Sequence, residues 1–159
     1  MIKYLFTKDE MCSLLYLCGG TDYKCNQFDV LGLTQEVFDT AVEGLFEKGV
    51  LFKENNKDIR MDLVFERVLQ ELYNANYTIE KKGFAAGIGE IIVVLEADPR
   101  NEEIIKLTPI QNLDMLQEVY EIPDESEFTL YTGAGERGIE GEPNLSVQNT
   151  FAEIKELIL

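Results

Sequence analysis

The sequence predicts an α+β fold: N-terminal helices with a winged-helix-like segment, a small mainly antiparallel sheet and a C-terminal helix. Three observations carry this. Apolar residues recur at helical spacing as far as Leu72. The β-branched run Ile91–Leu95, bounded by Gly89 and by Asp98 with Pro99, then switches the pattern to extended. Finally, 159 residues suffice for one domain, 1–159, to bury a core without disulfide staples.

Taken in order, Thr7 and Glu10 form a capping box, in which each side chain satisfies the other's free amide. Met11, Leu14, Leu15, Leu17 and Cys18 follow on a first helix that Gly19 and Gly20 end. Residues 21–30 are polar with scattered aromatics, a loop or a short helix. Thr34 caps a second helix to Lys48, with Val37, Phe38, Ala41, Val42, Leu45 and Phe46 as its apolar stripe. Gly49 stops it, Val50–Lys53 is extended, and Asn55–Asn56 is a polar turn. Asp62 caps a third helix carrying Leu63, Val64, Val68, Leu69 and Leu72 inward. Tyr77–Lys81, Glu90–Ala97, Ile104–Ile110 and Phe128–Thr132 read as strands, and Asn112 caps a fourth helix, Leu113–Tyr120. Residues 133–146 read as a flexible acidic glycine-rich loop, and Val147–Leu159 as an amphipathic helix with Phe151, Ile154, Leu157 and Ile158 on one side.

Charge limits the function. Fourteen basic against 30 acidic residues give −16, which repels nucleic acid and anionic membrane surfaces. The face that the second helix would offer to DNA, if helix and wing were a winged helix, carries Glu36, Asp39, Glu43 and Glu47. The helix-and-wing outline therefore keeps its shape and loses its DNA-reading meaning, and the wing reads as scaffold. No apolar run is long enough to span a membrane, and the first residues lack the features of a signal peptide. The odd set Cys12, Cys18 and Cys25 shows no CxxC spacing and fits reduced thiols, hence a cytoplasmic protein. With no histidine anywhere, Ser–His and Cys–His nucleophile pairs and nearly all zinc-enzyme patterns are excluded. No cofactor, metal or enzymatic activity is expected.

Two motifs weaken on inspection. The GxGxxG spacing from Gly133 to Gly138 continues into an acidic, proline-containing stretch, where a dinucleotide site needs a helix to hold the pyrophosphate. Asp98, Glu102 and Glu103 fit no calcium-loop spacing. A third stretch, Gly83–Gly89, is small and apolar where a hairpin loop would be polar. It is either a buried strand or bulge, or a loop whose Phe84 and Ile88 touch a partner. Phe151 and Ile154 of the last helix offer the same choice between packing inward and binding outward.

The order Leu45-Phe46-Glu-Lys-Gly49-Val50-Leu51, Asp62-Leu-Val-Phe-Glu-Arg-Val68-Leu69, strands around Ile91–Leu95 and Ile104–Pro109, then Leu113–Leu116, resembles the EspG family of bacterial type VII (ESX) secretion chaperones. The likeness runs from Gly32 to Tyr120. It implies a cytosolic, non-enzymatic adaptor, a twisted antiparallel sheet flanked by helices, that holds a helical secretion substrate of the WXG100 or PE–PPE kind soluble before export. By position, the family's client contacts fall here on Phe84 and Ile88, with Phe151 and Ile154 as a second surface. The chain is shorter than family members that duplicate the unit, which leaves a homodimer open. Two rivals stand beside this reading: an acidic immunity protein or DNA mimic that binds a basic toxin or DNA-binding protein, and a winged-helix transcriptional regulator.

Overall fold

In the computed structural model, residues 4–19, 32–55, 58–133 and 146–158 are described. The chain opens with strand β1 (Tyr4–Thr7), which runs straight into helix α1 (Lys8–Gly19). The junction is the capping box: the Glu10 amide donates to Thr7 Oγ1 at 3.1 Å, and the Thr7 amide donates to Glu10 Oε1 at 2.8 Å. Helix α2 (Gln35–Glu47) starts where Thr34 Oγ1 accepts from the Val37 amide at 3.2 Å. Gly49, at φ +75°, then turns the chain into β2 (Leu51–Glu54), which pairs antiparallel with β3 (Asp58–Met61). Asp62 caps helix α3 (Leu63–Tyr73), accepting from the Val64 amide at 3.0 Å. The extended segment expected after the second helix is the first strand of a two-stranded antiparallel hairpin.

The remaining elements are β4 (Tyr77–Lys81), β5 (Phe84–Ile88), β6 (Ile92–Asp98), β7 (Asn101–Ile110), α4 (Leu113–Val119), β8 (Glu127–Thr132), β9 (Ser146–Thr150) and α5 (Phe151–Ile158). Seven of the strands form one antiparallel sheet in the order β1-β7-β6-β5-β4-β8-β9. Strands β4 to β7 are a meander; α4 carries the chain back so that β8 pairs with β4, and β1 closes the far side on β7. An α+β class with a mainly antiparallel sheet is the observed architecture.

Both faces of this sheet are covered. Ala85, Val93, Leu95, Ile105 and Leu107 meet Met11, Leu14, Leu15, Leu45, Leu69 and Leu72 from α1, α2 and α3. The alternate positions Phe84, Ala86, Ile88, Ile92, Val94 and Ile110 meet Leu113, Leu116, Phe151 and Ile154 from α4 and α5. Period-two alternation thus sends apolar groups to both sides, which is why β6 reads as an unbroken apolar run.

The structure corrects four expectations. Gly83–Gly89 is not an exposed loop: it contains β5, buried at every position from Phe84 to Ile88. Its residues are small because α3 lies on it; a Cβ on Gly87 would stand 2.9 Å from Leu72 Cδ1 and 3.3 Å from Ala75 Cβ. The last element is shorter than Val147–Leu159, because residues up to Thr150 extend the sheet before the helix begins. Leu63 and Val64 do not point inward; they are 74% and 54% exposed on the first turn of α3. Residues 4–7, for which no element was expected, form a sheet strand. Of the loop expected at 133–146, residues 134–145 lie outside the described residues, as does Cys25.

Candidate protein-docking groove

The four side chains expected to bind a partner are brought together, but inside the protein. Phe84, Ile88, Phe151 and Ile154 share one buried cluster, with none more than 5% exposed. Phe128 stands between two of them, its ring centroid 5.9 Å from that of Phe84 and 6.0 Å from that of Phe151. Tyr120 covers Phe84 edge-on at 5.4 Å. Their apolar character serves the sheet–helix core, and the exposure on which the assignment depended is absent. A partner could reach them only by prising α4 and α5 from the sheet.

Large exposed apolar groups gather elsewhere. Phe52 and Ile59 on the hairpin are each 48% exposed, and Leu63 and Val64 follow on α3. Leu17 at the end of α1 joins Phe52, Ile59 and Leu63 around an open groove of about 520 Å³, walled also by Cys18 and Glu66. The hairpin projects these groups because only its base is anchored: Leu51 and Met61 sit opposite each other and pack on the α1–α2–α3 core, whereas Phe52 and Ile59 lie further out. Exposed large apolar groups that cluster, rather than scatter singly, mark interaction sites.

Three charged side chains line the groove, Arg60 against Glu54 and Glu66. Arg60 Nε donates to Glu54 Oε2 at 2.8 Å in an exposed pair. The Cys18 thiol donates to Met61 Sδ at 3.7 Å, and burial, reinforced by the Glu66 carboxylate, pushes its pKa up to about 11. The thiol therefore stays protonated at neutral pH, a neutral wall with little nucleophilic character.

The acids of α2 lie where the periodicity puts them. Glu36, Asp39, Glu43 and Glu47 are all exposed, and Gln35 Nε2 donates to Asp39 Oδ1 at 2.8 Å. At the end of that helix Lys48 turns away to the buried Glu10, Nζ to Oε1 at 2.5 Å, beside Gly44, where a Cβ would fall 2.4 Å from Glu10 Oε2. Among the described residues no three His, Cys, Asp or Glu side chains group to hold a metal ion, and no helix is long and apolar enough to cross a membrane.

Sequence reasoning missed the groove because Leu63 and Val64 fit the apolar periodicity of α3 and were assigned to its buried face. The available signal was the crowding of Phe52, Ile59, Leu63 and Val64 around two tight turns, more apolar residues than two short strands and one helical turn can bury. Compared with family models, curated proteins and solved structures, the chain finds no match.

Proposed function

We propose that this chain is a non-enzymatic cytoplasmic adaptor or chaperone that docks a helical segment of another protein in the groove between the hairpin, α1 and α3. The observation that carries the reading is that Leu17, Phe52, Ile59 and Leu63, all exposed large apolar side chains, line one groove. Covering such a cluster releases water from apolar surface at about 25 cal/mol per Å², the usual source of interface stability. The groove wall consists of side chains from three elements, which suits a helix laid into a groove. The sequence resemblance adds the client class: a helical type VII secretion substrate kept soluble before export.

The test is complex formation with a purified helical secretion substrate on size-exclusion chromatography. Wild type is expected to co-elute with it, and the double variant Phe52→Ser/Leu63→Ser to elute apart while retaining its circular dichroism melt. Co-elution unaffected by the double variant would remove the groove as the docking surface.

The exposed stripe Glu36, Asp39, Glu43 and Glu47 favours a second reading, an acidic immunity protein or DNA mimic. Binding of a basic nuclease through that stripe would fall steeply with added salt and would ignore substitutions at Phe52 and Leu63.

A further inference from the structure

We draw no further inference here: the strongest candidate, the apolar groove between the hairpin, α1 and α3 read for the identity of its occupant, belongs to the site already described, and nothing in the structure shows what covers it.

Discussion

Phe84 and Phe52 form a controlled pair: the same side chain on two short strands, one inside the molecule and one half outside. Phe84 is 5% exposed and touches Tyr120 and Phe128, so truncation to alanine removes a ring from a filled cluster between the sheet and α4. Such a loss costs about 3–5 kcal/mol, the transfer term plus the cavity left behind. Phe52 is 48% exposed, so its truncation forfeits roughly half of a side chain's burial and leaves no enclosed cavity, about 1 kcal/mol or less. In a chain of this length 1 kcal/mol moves Tm by about 2–4 °C. Phe84→Ala is therefore expected to melt roughly 10 °C below wild type by circular dichroism, and Phe52→Ala within about 3 °C of it. The reverse order, with Phe84→Ala melting like wild type and Phe52→Ala far below, would refute the division into core and groove made here.

Further outcomes follow from the same contacts. Gly87→Val should destabilise by about 2 kcal/mol or more, read from urea midpoints, because its Cβ alone would crowd Leu72 and Ala75. Lys48→Met strips the buried Glu10 of its ammonium partner and should cost about 1–3 kcal/mol, less than a fully buried pair because Lys48 is part-exposed; adding Glu10→Gln should recover part of that loss. The Asp124 carboxyl is held below its ordinary range by hydrogen bonds from Gln117 and Lys155 and by the Lys155 charge. A depressed folded pKa adds stability that is present above the unfolded carboxylate pKa and lost as pH falls through the folded one. Lys155→Met should therefore raise the Asp124 titration midpoint in carboxyl NMR and flatten this acid-side loss. Cys18, protonated near neutral pH, should react with iodoacetamide slowly in native protein and readily in urea, as read by peptide mapping.

The helical half was legible because its signals are local. Thr7 with Glu10, Thr34, Asp62 and Asn112 all cap the helices that their spacing announces. A second capping box, Thr150 with Glu153, was present in the sequence and marks the true start of α5. The strands were legible where β-branched residues crowd, as in β6, and illegible where a helix presses on the sheet. There β5 needs alanine and glycine, residues of low strand propensity, to let α3 approach. The same limit hid the site. Whether Phe84 faces a partner or α4, and whether Leu63 faces the core or water, depends on which element lies across each, and that is a long-range fact absent from spacing. Charge was the exception: the acids of α2 are exposed where periodicity placed them, since among the described residues no other element covers that face.

Hydrogen exchange read along the chain, with and without the purified helical secretion substrate, tests the central claim most directly. Protection gained over residues 51–67 and at the end of α1, with β5 and the exposed face of α2 unchanged, is the predicted pattern. Protection appearing instead at Glu36–Glu47, or a loosening of Phe84–Ile88 as α4 and α5 lift from the sheet, would place the partner elsewhere and contradict the groove.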